Sequence, residues 1–195
     1  MYGLVAVYLS QACKRDPTSL FFYPNTAYQA KYSRRIKEEA VEFVQDSNYT
    51  DLFIALSASL PTVLCVGIPS IMRNNSQYLH YTIGSLFNGL SDTERQEIIF
   101  LVLIANTVPR VHYAYEQPWL KQVVDIVFKY NETLPGYDDL VALEGSKDYW
   151  TKGRLDYTFI LERCSDTGAP YILIAEDDVL AGDRWYLQTK QALQS

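Results

Sequence analysis

The sequence has few of the residues that build zinc sites and disulfide scaffolds. Its 195 residues include only three cysteines, Cys13, Cys65 and Cys164, and two histidines, His80 and His112. No two cysteines stand at metal-ligand spacing, so a zinc site is not expected. We interpret the cysteines as small buried hydrophobic residues. One disulfide is the alternative if the compartment is oxidising.

Long apolar runs, basic charge and phosphate-binding glycine motifs are also scarce. No run reaches the roughly 18 apolar residues of a membrane-spanning helix. The net charge of −6 argues against a nucleic-acid-binding protein, which normally has a basic surface. Neither G-x-G-x-x-G nor a P-loop motif is present, which excludes those two nucleotide-binding signatures. Residues 1–13 are apolar and precede Lys14 and Arg15, so they are either an ordinary first helix or strand or the end of a membrane anchor.

Apolar segments and amphipathic helices alternate along the chain, which predicts an α/β fold. Strands are expected at residues 62–68, 97–106, 139–144 and 171–175, and Pro69 is expected to end the first of them. Helices are expected at residues 33–46, from about 76 to 90, from 91 as a capping-box turn, from 118 to about 127, and at 149–165. Strands that are apolar on both faces are typical of a parallel sheet covered by helices on both sides.

Three carboxylates, Glu176, Asp177 and Asp178, directly follow the last predicted strand. Ligands of open α/β sheets bind beyond the carboxyl ends of the strands. Mg²⁺ and Mn²⁺ prefer oxygen ligands and usually take one or two carboxylates together with water and phosphate oxygens. The triplet therefore indicates a metal that holds a diphosphate. The alternative is a solvated acidic turn near the start of the next helix.

Two further segments carry candidate ligand-binding residues. After the first strand, Gly67 and Pro69 predict a tight exit where a ligand approaches the backbone, and Arg73 can bind a phosphate with paired donors. The alternative there is an ordinary βα turn with a surface arginine. Near the start of the last predicted helix, Lys152 and Asp156 either face the same crevice or belong to a solvated helix face.

The order of these motifs resembles glycosyltransferases of the GT-A type. The segments that carry the resemblance are "VGIPSIMR", "IIFLVLIAN", "K-x-R-L-D-Y" and "Y-x-L-x-x-E-D-D-V-x-A-x-x-x-W". Together with "RDPTSLFFYPNTAYQAKYS" and "VHYAYEQPWL", they resemble the Golgi GPI N-acetylgalactosaminyltransferase group and its fungal relatives. The N-acetylglucosaminyltransferase IV group, which branches N-glycans, is more distantly similar. The resemblance covers about residues 14–195.

The resemblance implies a GT-A-like, Rossmann-like sheet that binds a UDP-sugar and Mn²⁺ or Mg²⁺. It implies that Asp178 and Glu176 hold the metal and that Asp177 and Asp178 are the catalytic residues within this chain. The residues implied at the nucleotide-sugar site are Gly67, Pro69, Arg73, Lys152, Asp156, Glu176 and Asp177. The implied reaction is an inverting transfer in which a carboxylate base deprotonates the acceptor hydroxyl.

The resemblance also implies a division of the chain into three parts. Residues 1–13 would be a remnant of an N-terminal membrane anchor, 14–60 an N-terminal loop and helix, and 61–195 the nucleotide-sugar-binding half of a GT-A-like domain. In the family the chain continues well beyond the acidic motif, whereas this chain ends soon after it. We therefore expect a fold truncated after the metal-binding motif, inactive alone, with the base and acceptor site elsewhere.

The function expected from the resemblance is transfer of a sugar, N-acetylgalactosamine, from a UDP-sugar to the GPI-glycan core. The alternatives are an N-glycan-branching N-acetylglucosaminyltransferase and a non-catalytic nucleotide-binding or scaffold relative. The expected location is the Golgi membrane, with the domain in the lumen and the membrane contacted through segments outside this chain. Sequons occur at Asn48, Asn74 and Asn131. We expect Asn131 to carry a glycan and Asn74, beside Arg73, to remain bare.

Overall fold

The computed structural model describes residues 2–27, 31–45, 61–73 and 76–193. The chain divides into two units, Met1–Arg35 and Ile36–Ser195. The first unit contains helices α1 (Tyr2–Ala12) and α2 (Pro24–Ala27) and the start of α3 (Lys31–Gln45), which continues into the second. Within the described ranges, no helix is both long enough and apolar enough to cross a membrane. Tyr2–Ala12 thus form a helix, which is one of the forms expected from the sequence for residues 1–13.

The second unit is built on one sheet of four parallel strands. The strands are β1 (Leu64–Ser70), β2 (Ile98–Ile104), β3 (Ile126–Lys129) and β4 (Tyr171–Ile174), in the spatial order β3-β2-β1-β4. All three neighbouring pairs are parallel, with Leu64 opposite both Ile98 and Tyr171. The helices of this part are α4 (Leu79–Phe87), α5 (Asp92–Gln96), α6 (Pro118–Val123), α7 (Tyr137–Ser146), α8 (Tyr149–Ser165) and α9 (Trp185–Leu193).

This strand order creates a switch point between β1 and β4. The chain proceeds outward from β1 to β2 and β3, and then returns to place β4 on the other side of β1. The loops that leave the carboxyl ends of β1 and β4 therefore depart in different directions. In open α/β sheets the crevice between such loops is where ligands bind.

Helices cover both faces of the sheet, as the sequence predicts. One face packs strand residues such as Val66 and Phe100 against Ile83 and Phe87 of α4. The other face packs Leu101, its strand neighbours and Leu140 of α7 against α8. The α/β class and the parallel sheet are thus confirmed, whereas the assignment to the GT-A type stays a prediction.

The cysteine interpretation is wrong for two of the three residues. Cys65 in β1 and Cys164 in α8 form a disulfide across 99 residues of sequence, and both are fully buried. The alternative of a single disulfide is the correct one, and Cys13 is free. The bond fastens α8 to the central strand of the sheet, which fixes one wall of the site described below.

Two predictions of local structure are wrong, and a third differs at one bound. Residues 139–144 belong to helix α7 rather than to a strand. The helix expected to reach about residue 127 ends at Val123, and residues 126–129 form β3 instead. The cause is Asp125, which bonds through its backbone N–H and its carboxylate to Phe100 of β2. The helix expected from about residue 76 begins at Leu79.

Pro69 does not end β1, which continues to Ser70. Successive residues of a parallel strand bond alternately to their two neighbours. Gly67 bonds towards β4, and its pairing with Ile174 is the last between those two strands. Pro69 faces the same side beyond that pairing, so its missing N–H removes no bond of the ladder.

Burial along α8 and β4 is uneven. Ile160 and Cys164 of α8 are fully buried, whereas Tyr157 is 49% exposed and Leu161 is 38% exposed. Tyr171, at the start of the apolar strand β4, is 40% exposed. Strand β4 lies at one end of the four-stranded order, so among the described residues only β1 pairs with it.

Candidate functional site

A cleft of about 890 Å³ opens at the carboxyl ends of β1 and β4, at the switch point of the sheet. The exit of β1 and the N-terminal half of α8 form two of its walls, and the start of the acidic motif forms a third. The residues that line it are Pro69, Ser70, Ile71, Met72, Arg73, Ala105, Tyr149, Trp150, Gly153, Arg154, Asp156, Tyr157, Thr158, Glu176 and Asp177. The cleft is large enough for a nucleotide-sized ligand.

Asp177 is the buried member of the acidic motif, with 4% of its surface exposed. Its Oδ2 accepts a hydrogen bond of 2.5 Å from Ser70 Oγ, and its Oδ1 lies 2.8 Å from Nη2 of Arg73. Burial raises the pKa of the Asp177 carboxyl, although the Ser70 hydrogen bond and the Arg73 charge act in the opposite direction. Residues predicted at two separate strand ends therefore meet in one ion pair.

The backbone of the acidic turn is fixed from helix α4. Thr82 Oγ1 lies 2.7 Å from the carbonyl oxygen of Asp177 and 2.9 Å from that of Val179, and it can donate to either. Thr82 is fully buried. Its hydroxyl therefore holds the turn against the helix while the carboxylates of the turn face the cleft edge.

A histidine stands behind Ser70 on the side away from Asp177. His112 Nε2 lies 3.0 Å from Ser70 Oγ, and His112 Nδ1 accepts the backbone N–H of Ala114 at 3.2 Å. Burial lowers the pKa of His112 from its ordinary value of 6.5 to about 4, so the ring is neutral at pH 7. Neither Ser70 nor His112 was singled out as a site residue from the sequence. The one sequence signal for such a role is that Ser70 comes at the end of a strand whose carboxyl end borders the expected ligand site.

Glu176 and Asp178 are the exposed carboxylates of the motif. The Asp178 side chain is 39% exposed, and its Oδ2 lies 3.6 Å from Arg73 Nη2. The part of the chain that the structure describes contains no group of three or more His, Cys, Asp or Glu residues arranged to hold a metal ion. A cation held by one or two carboxylates needs no such group, because water and phosphate oxygens complete its shell. The metal site at Glu176 and Asp178 therefore stays a prediction.

Lys152 and Asp156 form a buried pair on the other side of the cleft. Lys152 is 1% exposed, and its Nζ donates to Asp156 Oδ1 and, at 2.7 Å, to the carbonyl oxygen of Ala105. Tyr130 Oη donates to the same oxygen of Asp156 at 2.5 Å. Burial raises the pKa of Asp156, and the Lys152 charge opposes that shift. Asp156 lines the cleft and Lys152 lies buried beneath it, so the structure places only Asp156 where the sequence expects both, and its contact with a nucleotide stays a prediction.

Gly67 also differs from its predicted role. A side chain at Gly67 would place its Cβ 2.9 Å from Ile160 Cγ1 and 2.9 Å from Ile174 Cδ1. The glycine thus permits close packing of α8 on β1 and does not line the cleft. Of the predicted nucleotide-sugar residues, the structure gathers five around the cleft: Pro69, Arg73, Asp156, Glu176 and Asp177.

The sequons are covered only in part by the described residues. Asn131 is exposed just after β3, and its side-chain oxygen accepts the N–H of Thr133 at 3.1 Å. Asn48 and Asn74 lie outside the described residues. The predictions for Asn131 and Asn74 therefore stay predictions.

The chain thus has a parallel α/β fold with an acidic motif and an arginine at a switch-point cleft, and its relatives are glycosyltransferases. It is 24% identical over 152 residues to alpha-1,3-mannosyl-glycoprotein 4-beta-N-acetylglucosaminyltransferase C of Danio rerio, covering 68% of this chain and 32% of the relative. It is 29% identical over 136 residues to the B enzyme of Mus musculus, covering 64% and 24%. It is 28% identical over 144 residues to the A enzyme of Bos taurus, covering 67% and 27%.

These similarities have a defined extent. The chain spans about a quarter to a third of the length of the curated relatives it matches. No family model matches the chain, and no solved structure matches it. The relatives described here carry the name of the group that the sequence resembles more distantly. The closer resemblance to the GPI group stays a prediction.

Proposed function

We propose that this chain is the donor-binding part of a metal-dependent glycosyltransferase that transfers N-acetylglucosamine from a UDP-sugar to a mannose-containing N-glycan. One observation carries the proposal: Arg73 from the end of β1 meets the carboxylates of Asp177 and Asp178 from the end of β4 at the switch-point cleft. This combination offers a cation for a diphosphate and oxygen ligands for a metal in the same place.

Each of the site residues has a distinct role in this proposal. Arg73, whose side chain is 38% exposed, binds the diphosphate with its guanidinium group. Glu176 and Asp178 hold Mn²⁺ or Mg²⁺, and Asp177 holds Arg73. When bound, such a cation neutralises negative charge on the departing diphosphate. Asp156 and the aromatic side chains of α8 line the space left for the nucleoside and sugar.

The acceptor is the N-glycan in this proposal because the relatives described above are named for transfer to alpha-1,3-mannosyl glycoproteins. Transfer to the GPI core, the function expected first from the sequence, has no such support and stays a prediction. The expectations that the base and acceptor site lie elsewhere and that this chain alone transfers no sugar stay predictions.

The disulfide supports a lumenal location. Disulfides persist in oxidising compartments and are rare in the cytosol. The Cys65–Cys164 bond is buried in the core, where it joins the central strand to α8. We therefore propose that the domain lies in the lumen of the secretory pathway, consistent with the Golgi location expected from the resemblance.

Binding measurements test the proposal without requiring catalysis. Calorimetry would compare UDP-N-acetylglucosamine, UDP-N-acetylgalactosamine and UDP, each with and without Mn²⁺, for the wild type and Asp178→Asn. We expect Mn²⁺-dependent binding by the wild type and a loss of that dependence in Asp178→Asn. Glu162→Gln, an exposed carboxylate on the outer part of α8, is the matched control and should bind as the wild type does.

The outcomes separate the three functions. Absence of Mn²⁺-dependent UDP binding by the wild type would contradict the enzyme proposal and favour a scaffold relative. Equal affinity in Asp178→Asn and the wild type would support the solvated acidic turn instead. Preference for UDP-N-acetylgalactosamine over UDP-N-acetylglucosamine would favour the GPI interpretation over N-glycan branching.

A further inference from the structure

Three buried side chains form a continuous chain of hydrogen bonds behind Arg73. His112 and Ser70 are each 2% exposed and Asp177 is 4% exposed. Ser70 Oγ stands between the other two, 3.0 Å from His112 Nε2 and 2.5 Å from Asp177 Oδ2. The residues come from the loop after β2, the end of β1 and the turn after β4, so the contact joins three separate parts of the sheet edge.

The backbone N–H of Ala114 sets the donor-to-acceptor direction of these hydrogen bonds. Its N–H points at His112 Nδ1, which must therefore carry a lone pair, and the ring proton lies on Nε2. That proton is donated to Ser70 Oγ, which leaves the serine hydroxyl proton for Asp177 Oδ2. Each of the three donors, the Ala114 N–H, the His112 Nε2–H and the Ser70 hydroxyl, then has one acceptor.

This arrangement is not that of a nucleophilic serine. In a catalytic triad the histidine lies between the serine and the carboxylate and accepts the serine proton. Here the serine lies in the middle, its proton points at the carboxylate, and its oxygen is buried. Ser70 therefore lacks the histidine base that activates the serine of a catalytic triad.

We propose that Ser70 and His112 are positioning residues that orient Asp177, so that the outer oxygen of Asp177 aims Arg73 at the diphosphate of the donor. The inference rests on the proposed function, because it concerns the same cleft. It assigns the two oxygens of Asp177 different tasks: Oδ2 is held from inside by Ser70, and Oδ1 faces Arg73 at the cleft.

The division of tasks follows from the exposure of the partners. Arg73 is the partly exposed partner, and a diphosphate would compete with Asp177 for its guanidinium donors. A buried carboxylate that lost its cation would be left unpaired at a high cost. The hydroxyl of Ser70 keeps one oxygen bonded throughout, so Arg73 can bind the ligand without releasing Asp177 from its place.

The test separates the diphosphate from the nucleoside. Ser70→Ala removes the hydroxyl, Ser70→Thr keeps it, and Ser85→Ala removes another buried serine hydroxyl that bonds to Thr82 and Ala181 rather than to Asp177. We expect Ser70→Ala to weaken UDP binding about tenfold or more, the value of a hydrogen bond to a charged group. Uridine affinity should not change, Ser70→Thr should restore UDP affinity, and Ser85→Ala should change neither.

A second measurement needs no ligand. Nitrogen-15 NMR of the histidine rings should show His112 protonated on Nε2 in the wild type, and the Arg73 side-chain N–H should exchange faster with water in Ser70→Ala than in Ser70→Thr. Absence of UDP binding by the wild type would contradict the proposed function, while these spectra would still decide the orientation of Asp177. If Ser70→Ala does not fold, His112→Gln can be compared with the wild type in its place, because His112 is at the other end of this series of hydrogen bonds.

Three results would overturn the inference. Equal losses of UDP and uridine affinity in Ser70→Ala would mean a general disturbance of the cleft. Failure of Ser70→Thr to restore binding would mean that the hydroxyl is not what matters. Protonation of His112 on Nδ1 would reverse the direction of the hydrogen bonds and remove the basis for orienting Asp177.

Discussion

Two buried aspartates at the same edge of the sheet make nearly the same contacts but in different surroundings. Asp156 binds Lys152 and the hydroxyl of Tyr130, and Asp177 binds Arg73 and the hydroxyl of Ser70. Burial raises the pKa of both carboxyls. The cations differ: the Lys152 side chain is 1% exposed and that of Arg73 is 38% exposed.

The different exposure of Lys152 and Arg73 indicates that the two ion-pair centres have different roles. In the closed centre of Lys152, Asp156 and Tyr130, every charge is satisfied within the protein, so it holds α8 to the end of β2 through Ala105. In the open centre of Arg73, Asp177 and Asp178, the cation and one carboxylate reach the solvent and can bind a ligand. A sequence motif that contains a lysine and an aspartate is therefore not by itself evidence of a binding role.

Removing the cation of the closed centre should have the largest effect on stability. Lys152→Met leaves Asp156 buried without its cation, and breaking a buried pair in this way typically costs about 3–5 kcal/mol. Urea unfolding of the variant should show this loss in the free energy of unfolding. Lys121→Met, on the exposed face of α6, is the control and should change it by less than about 0.5 kcal/mol. A loss below about 1 kcal/mol in Lys152→Met would mean that Asp156 is neutral in the fold.

Removing the disulfide should have the next largest effect and should act on the same wall of the cleft. Cross-links that close long loops typically contribute about 2–4 kcal/mol, mainly by restricting the unfolded chain. The Cys65→Ala/Cys164→Ala variant should lose that much in urea unfolding, and Cys13→Ala should not. The folded double variant should still bind UDP in an Mn²⁺-dependent way, because Arg73, Asp177 and Asp178 lie outside α8. Loss of that Mn²⁺ dependence would mean that α8 sets the shape of the open centre too.

The sequence predicts the regular parts of this fold because their signals are local. The bounds of α8 match the predicted residues 149–165, and the capping box of Ser91 and Glu94 is present. The predicted positions of β1, β2 and β4 agree with the structure to within about two residues at most ends. Short segments fail: β3 has four residues that continue the apolar face of α6, and the apolar run in α7 has no periodicity that separates helix from strand.

The site is predictable only where it depends on strand ends. The placement of the acidic motif and Arg73 at one edge is predictable because both follow apolar strands, and parallel strands end at one edge; their binding roles stay predictions. The contact of His112 with Ser70 is not predictable in this way, because His112 lies in the loop after β2, 42 residues from Ser70 in the sequence. The burial of Lys152 was not predicted either, since the periodicity of α8 does not reveal which carbonyl group lies at the end of the neighbouring strand.

Acidification should destabilise the fold through the histidine behind the open centre. The pKa of His112 is about 4 in the folded chain and 6.5 as its ordinary value, so the unfolded chain binds more protons between those values. Stability should be unaffected by His112 above about pH 6.5 and should fall as the pH drops from there towards 4, by an amount on the order of 1–3 kcal/mol. Urea unfolding at several pH values would measure the slope. His112→Gln should show a shallower slope, and an equal slope in both proteins would assign the acid sensitivity to other groups.

The smallest effect on stability is expected at the exposed end of the open centre. Asp178 is 39% exposed, and its nearest charged partner, Arg73, is 3.6 Å away and itself partly exposed, so water and salt screen the pair. Asp178→Ala should therefore change the free energy of unfolding by only about 0.5 kcal/mol. The same substitution should remove metal-dependent UDP binding, which calorimetry on the same preparation would measure. A stability loss of about 2 kcal/mol or more in Asp178→Ala would mean that the open centre also holds the fold together, and the contrast between the two aspartate centres would then be one of degree.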